Sequence, residues 1–479
     1  MPGSAASPTH RVAAATGFYD RLVRDLRMVA ASRHPAQQVV VAFTALILLG
    51  ALLLLLPWAT GGQAGIGFEN ALFMATSAAT VTGLTTVSID EFSIFGELVI
   101  LALIQIGGFG IMTISSLLLL IASNRMGLRQ RMLARAEIGA VDLGDLRQLV
   151  WAIARITLGI EAALATILFV RFLQAGYEDN AGSAAYSAIF HAVSSFNNAG
   201  ISTYPDNLAR FVGDPVVVIA VSGAFIIGGL GFPILVEFWR RTQTDRASPG
   251  PTRLRNWSLH TKITLLTTIC LLILGPLLVM SFEWTNPATL GPLDLGDKLL
   301  AGWFQGSTPR TAGFNTIDIG GMNEPTLMVI SALMFIGAGP ASTSGGIKVT
   351  TFAILGLVLW SEMRGNADVN IFHRRLPLKL IRRALTIVLL SIAIIAVTTL
   401  LLMGLDDLSL TPAVFEASSA FGTAGLSTGI TSALGGAGKL IIVIVMLAGR
   451  VGPVTFVTAL ALRERARAYR YPEEQPIIG

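Results

Sequence analysis

Charge is what this chain of 479 residues is short of: 13% of it is Asp, Glu, Lys or Arg, against 53% hydrophobic. That balance excludes the soluble classes and indicates a membrane protein. Cysteine is scarcer still. The single one, Cys270, lies in an apolar run, so a disulfide framework and a Cys-based metal site are both excluded. Residues 1–35 have no continuous hydrophobic core followed by a small-residue cleavage site, so no cleavable signal is expected and the segment reads as a cytoplasmic tail. No phosphate-binding GxGxxG or GK[ST] loop occurs in a strand-to-helix setting. A carboxylate pair, a Ser/His dyad or a metal cluster facing a cavity is also missing, which leaves no enzyme reading.

What is present is apolar length. A helix needs roughly 20 apolar residues to cross about 30 Å of hydrocarbon. Runs near 38–57, 95–122, 148–171, 214–239, 262–282, 326–362, 383–404 and 438–462 meet that need, so eight spans are expected. Basic residues fall in alternate loops: Arg21 to Arg33, Arg125 to Arg135, Arg240 to Arg255, Arg364 to Arg383 and Arg463 to Arg470. Between Arg33 and Arg125 there is no Lys or Arg. Acidic loops with Asp90, Glu91, Glu178, Asp179, Asp206, Asp318, Glu324, Asp406 and Asp407 alternate with the basic ones. The positive-inside rule then places both termini in the cytoplasm, which an even number of spans requires. The net charge of +5 is spread over short loops beside spans rather than over one soluble face, so no nucleic-acid partner is expected.

The chain also repeats itself. TVTGLTT (80–86), NNAGIST (197–203), RTAGFNT (310–316) and GTAGLST (422–428) share one glycine: Gly83, Gly200, Gly313 and Gly425, roughly 115 residues apart. Each glycine follows a full span and a semi-polar segment (68–80, 184–197, 297–310, 412–423) too short to cross a bilayer. The first three are followed by an acidic loop, and all four by a second span with central glycines: IGGFG (106–110), IGGLG (227–231), IGAGP (336–340) and LAGRVG (447–452). The units cover 36–124, 148–240, 260–363 and 380–465, with a cytoplasmic tail at 466–479. All start on the cytoplasmic side, so they are parallel. The expected fold is an all-α membrane protein with four tandem helix–pore-helix–helix repeats around a central pore.

Irregular backbone is tolerated at membrane depth only where it lines a cavity or is buried in protein, so the glycine loops should meet on the axis. Inward-pointing carbonyls there offer the oxygen ligands of a dehydrated monovalent cation. Glycine permits the strained backbone angles such an array needs. The candidate ligand stretches are Thr80, Val81, Thr82 and Gly83; Asn197, Asn198, Ala199 and Gly200; Arg310, Thr311, Ala312 and Gly313; and Gly422, Thr423, Ala424 and Gly425. Each short helix turns its partially negative C-terminus toward the cavity, which favours cations. A turn between spans explains one such stretch but not four. Residues 337–346, GAGPASTSGG, combine glycines and a proline that an α-helix accommodates only at heavy cost, so the second span of the third unit should break at midplane. Arg450 lies in an apolar span, where an ionisable group is costly and usually functional; a buried salt bridge is the alternative. Lys348 is a weaker candidate, His191 reads as a packed pore-helix residue, and Glu161 has no assigned role.

STPRTAGFNT (307–316), SSFNNAGIST (194–203) and GAGPASTSGGIKVTTF (337–352) resemble signatures of the Ktr/Trk/HKT superfamily of potassium transporters. The resemblance spans about 36–465 and implies four covalently joined pore units. In that family the four loop glycines select K+, and serine in place of the first accompanies Na+ permeation. One span before TVTGLTT points to a Ktr-type bacterial membrane subunit, since Trk-type subunits carry two extra. The resemblance implies a homodimer in the inner membrane on a cytoplasmic nucleotide-binding ring (RCK/KtrA-like), with K+ as transported ion and Na+ as a candidate activator. It makes Gly337, Gly339, Pro340, Ala341, Ser342, Thr343, Ser344, Gly345 and Gly346 a gate, where composition alone allows a passive kink, and turns Arg450 toward the pore. Loops 125–147 and 240–261 are candidate contacts for the ring, or only positive-inside signals. Na+- or H+-coupled symport through the same pore, and a Trk-type transporter, remain the alternatives.

Overall fold

The computed structural model describes residues 35–61, 65–124, 146–247, 257–366, 368–453 and 455. Nearly all of the N-terminal tail, the C-terminal tail 466–479 and most of loop 125–147 lie outside these residues, as does 248–256 within loop 240–261. In chain order the helices are α1 (Pro35–Leu54), α2 (Phe68–Thr80) and α3 (Ile94–Asn124), then α4 (Leu146–Ala175), α5 (Ala181–Phe196), α6 (Pro215–Leu230) and α7 (Phe232–Ala247). They continue as α8 (Leu259–Glu283), α9 (Leu295–Ser307), α10 (Glu324–Phe335) and α11 (Val349–Met363), and end with α12 (Leu378–Asp406), α13 (Leu410–Gly422) and α14 (Gly436–Val451). A short hairpin of β1 (Asn370–Ile371) and β2 (Arg374–Arg375) precedes α12, with Asn370 opposite Arg375.

Four of these helices are long and apolar enough to cross a membrane: Gln37–Leu54 of α1, Val150–Ala175 of α4, α8 and α12. No more than 39% of any of these windows is buried. On α8 the outward stripe is Leu266, Ile269, Ile273 and Leu277, at helical spacing and each more than half exposed. Such a face requires hydrocarbon around it. The other four expected spans are the second helices of each unit. Of these, α6 and the following stretch to Trp239 pass as a fifth crossing only as a pair bent by 99°, while Ile94–Gly110, α10 and α11 are shorter apolar helices. Length and composition among the described residues thus give four crossings, or five, where eight are expected.

The α10/α11 break spans 336–348, as the composition predicts. The bend at Gly231 is not foreseen, since 214–239 reads as one straight span. Its cause is local: Gly231 has φ 96°, a conformation open to glycine, and Pro233 supplies no N–H to the preceding turn. A few helix starts carry a side-chain cap, from Asn180, Asp214 and Ser258. The Asp214 carboxylate accepts from the Val216 and Val217 N–H groups (3.0 and 3.3 Å) and pairs with Arg171 Nε of α4 (2.7 Å), while Pro215 opens α6.

Each long helix packs on the short helix that follows it: α1 on α2, α4 on α5, α8 on α9, α12 on α13. The second helices reach onward to the next unit's short helix: α3 to α5, α6 to α9, α10 to α13, and α14 back to α2. Chain order is therefore order around a closed circle. Glycines make the close approaches within units. A Cβ on Gly107, Gly228 or Gly449 would stand 2.0, 2.0 or 1.9 Å from the carbonyl oxygens of Ala79, Phe196 and Phe421, each at the end of that unit's short helix.

Candidate functional site

The four short helices end at the loops expected from the sequence, and the loops share one backbone. Two residues before each glycine, a non-glycine residue takes positive φ: Val81 (55°), Asn198 (62°), Thr311 (73°) and Thr423 (50°). The glycines follow at 99°, 67°, 77° and 79°. Non-glycine residues rarely adopt this region, so a fourfold recurrence marks a constrained array. The Schellman-like closures repeat as well, with the N–H groups of Thr82, Ala199 and Ala424 donating to Ser77, Ser194 and Ser419 carbonyls (2.8, 2.8 and 2.9 Å).

The glycines converge in a ring. A Cβ on Gly83 would stand 2.3 Å from the Ala199 carbonyl oxygen; one on Gly200, 2.7 Å from that of Ala312; on Gly313, 3.0 Å from that of Ala424; on Gly425, 2.4 Å from that of Thr82. Each glycine thus abuts the carbonyl that precedes the glycine of the next unit, and the last returns to the first. Any side chain here collides with backbone.

Serine six residues before each glycine is a signal the sequence reading missed: Ser77, Ser194, Ser307 and Ser419. Ser77 Oγ accepts from the Gly83 N–H (3.0 Å). Ser194 Oγ accepts from the Ile201 N–H (3.1 Å) and donates to its carbonyl (2.7 Å). In the third unit the neighbouring Thr308 donates to the Phe314 carbonyl (2.7 Å). Thr80 Oγ1 meets Thr82 Oγ1 at 2.7 Å. Arg310 does not present its side chain to the ring. Its guanidinium is buried against α8, donating to Thr268 O and Oγ1 (both 3.4 Å).

Outside the ring an open cavity of about 550 Å³ is lined by all four loops, with Ser202, Asn207, Ser427 and Thr431 among its polar groups and Glu91 and Asp318 on its wall. On the opposite face of the ring, beside the ends of the short helices, lies the 336–348 segment, held by several neighbours. Thr343 Oγ1 donates to Asn198 Oδ1 (2.8 Å), and the Gly345 N–H donates to Thr423 Oγ1 (3.0 Å). The Gly339 N–H donates to Gly229 O (2.8 Å), and Ala341 O accepts from the Phe232 N–H (3.1 Å). A Cβ on Gly231 would sit 2.3 Å from Pro340 O, so the α6/α7 bend makes room for this segment. Gly337, Ala338, Gly339 and residues 341–347 are buried.

Arg450 is 4% exposed and donates to the carbonyls of Thr343 and of Gly107 (3.3 Å to the latter). Among the described residues no carboxylate pairs with it, so the salt-bridge alternative fails there. Lys348 Nζ donates to Ser344 O (2.5 Å). Two cationic side chains thus hold the same segment by its carbonyls. Glu161, halfway along α4, accepts from Gln105 Nε2 (3.1 Å) and Asn197 Nδ2 (3.0 Å), joining two units at the foot of the second loop. His191 is buried and stacked on Tyr204, centroids 5.0 Å apart.

A family model described as cation transport protein, TrkH, matches residues 14–470. The Ktr system potassium uptake protein B of Bacillus subtilis is 40% identical over 447 residues, 93% of this chain and 97% of the relative. The potassium/sodium uptake protein NtpJ of Enterococcus hirae is 34% identical over 452 residues, 93% of this chain and 97% of the relative. Among solved structures, the potassium transporter TrkH from Vibrio parahaemolyticus has a TM-score of 0.68 at 20% identity, covering 90% of this chain and 85% of that one.

Proposed function

The chain belongs to the TrkH cation transport protein family, and from that premise we propose that it is the ion-translocating subunit of a Ktr-type potassium uptake system. K+ sheds water in the outer cavity and passes the ring of carbonyls from Thr82, Ala199, Ala312 and Ala424 and their glycines, driven by the membrane potential. Neutral carbonyl dipoles suit a monovalent ion that must also leave again. The carrying observation is the closed order of that ring, in which four loops distant in sequence abut one another. The four units are read as eight membrane-embedded segments in pseudo-fourfold arrangement, with both termini cytoplasmic. Segment 337–346 is the gate below the ring, and Arg450 and Lys348 place positive charge beside it. A homodimer on a cytoplasmic nucleotide-binding ring accords with the naming of the Bacillus relative as one protein of a system.

Coupling to Na+ or H+ is a second reading, favoured by one observation: a carboxylate, Glu161, buried next to loop residue Asn197. Both readings are tested by uptake of K+ against Na+ in a bacterial strain lacking its own potassium systems. Na+-independent uptake that follows membrane potential supports the channel-like reading, whereas a strict Na+ or proton requirement supports coupling. Gly83→Ser adds a Cβ 2.3 Å from Ala199 O and 3.1 Å from the Gly425 Cα, which forces the ring open. It should let Na+ through at the expense of K+ preference. Unaltered preference would remove Gly83 from the ion path.

A further inference from the structure

At the same distance before each ring glycine, the four short helices carry Met74, His191, Phe304 and Glu416, all buried, none more than 1% exposed. The first and third units thus use an apolar residue here. The second and fourth, which face each other across the ring, use an ionisable one. Packing alone does not require the ionisable pair, because Met74 and Phe304 fill the same place in the same fold.

What the pair touches is also matched. Two positions beyond the glycine, Ser202 and Ser427 start the outer wall of the cavity. His191 Nδ1 lies 2.7 Å from Ser187 O, which fixes the proton on that nitrogen. Nε2 is then the acceptor for the Ser202 hydroxyl, 2.9 Å away. Ser202 Oγ in turn accepts from the Tyr204 N–H (3.0 Å), its single proton being shared between His191 Nε2 and Asn207 O (3.1 Å), and Asn207 Nδ2 donates to Gly200 O, a ring carbonyl (3.3 Å). Across the ring, Glu416 Oε2 accepts from Ser427 Oγ (2.9 Å), Oε1 accepts from the Thr431 hydroxyl, and Ser427 Oγ accepts from the Gly429 N–H (3.1 Å). A buried carboxylate is costly unless hydrogen-bonded, and these two hydroxyls are its donors.

We propose that His191 and Glu416 are a diagonal pair of positioning residues that hold the second and fourth loops through Ser202 and Ser427, and so set how sharply the outer mouth of the ring discriminates K+ from Na+. The inference rests on the reading of the ring as the ion path. The test is competitive K+ and Na+ uptake into proteoliposomes by the full chain and its Ser202→Ala, Ser427→Ala, Ser427→Thr and Thr85→Ala variants. Each Ser→Ala change deletes only the loop-side hydroxyl, whose loss should lower the K+:Na+ uptake ratio roughly five-fold, the worth of one buried hydrogen bond. Ser427→Thr restores the hydroxyl and should restore the ratio. Thr85→Ala, at the same place in a unit backed by Met74, should leave it intact. A ratio unchanged in both Ser→Ala variants overturns the proposal, as does lowered thermal stability with the ratio intact, which would assign the pair to folding alone. Failure of the wild-type protein to prefer K+ at all would instead sink the ion-path reading beneath it.

Discussion

Glu161 holds two amide donors from two different units, and the described residues place no cation beside it. Asn197 Nδ2 also faces Gln105 Oε1 (2.8 Å) and Val193 O (3.0 Å), so the asparagine that opens the second loop is fixed from three helices. Its Oδ1 lies where a Cβ on Gly108 would be, 2.0 Å off, which explains the second glycine of IGGFG. Sequence alone left Glu161 without a role because none of its partners is near it in the chain. Glu161→Gln preserves size and one acceptor, and should retain uptake with weaker apparent K+ affinity. Glu161→Leu strands the donors and should destabilise the protein by about 1–3 kcal/mol, read as a lower melting temperature. If proton coupling runs through this carboxylate, Glu161→Gln abolishes the pH dependence of uptake; if neither variant departs from wild type, the network is a spectator.

Among elements, the α10/α11 break was legible because its ten residues, GAGPASTSGG, are hostile to a helix by composition. The α6/α7 bend was not, because IGGLG looks like the motif of the uninterrupted α3; the positive φ of Gly231 allows the turn, and the approach of Pro340 shows what the turn makes room for. The two interruptions are complementary: one supplies the segment under the ring and the other the space it occupies. That segment is tied to the ring loops by Asn198 and Thr423 and to α14 by Arg450. Deleting 339–345 should therefore raise K+ flux without changing which ion passes, because the ring carbonyls stay in place. Arg450→Gln removes a charge and a clamp on Thr343 O, and should raise flux in the same direction. Flux at the wild-type level in the deletion would reduce the break to a passive kink, and wild-type kinetics in Arg450→Gln would leave that arginine a packing residue.

For the whole molecule, the reading of tandem units rests on one glycine recurring at a near-constant interval, and a single such loop would have passed for a turn. That the loops should meet on one axis was expected from the repeats, but how the circle closes was not readable. It depends on contacts such as α14 with α2 and Gly425 with Thr82 O, which join the ends of the chain and leave no periodic trace. Nor does hydropathy reveal that the second helices of the middle two units are interrupted, since an interrupted helix is as apolar as a straight one. This closure has a thermodynamic consequence. An ion held by carbonyls from all four loops binds only the closed circle, so it stabilises the entire fold by mass action, about 2.7 kcal/mol at a hundred times its Kd. In detergent, the melting temperature should therefore rise with K+ and with the similarly sized Rb+, and much less with Na+ or Li+ at equal ionic strength. A rise of the same size in all four salts would mean that the loops hold one another without an ion between them, and that the ring is a structural clasp.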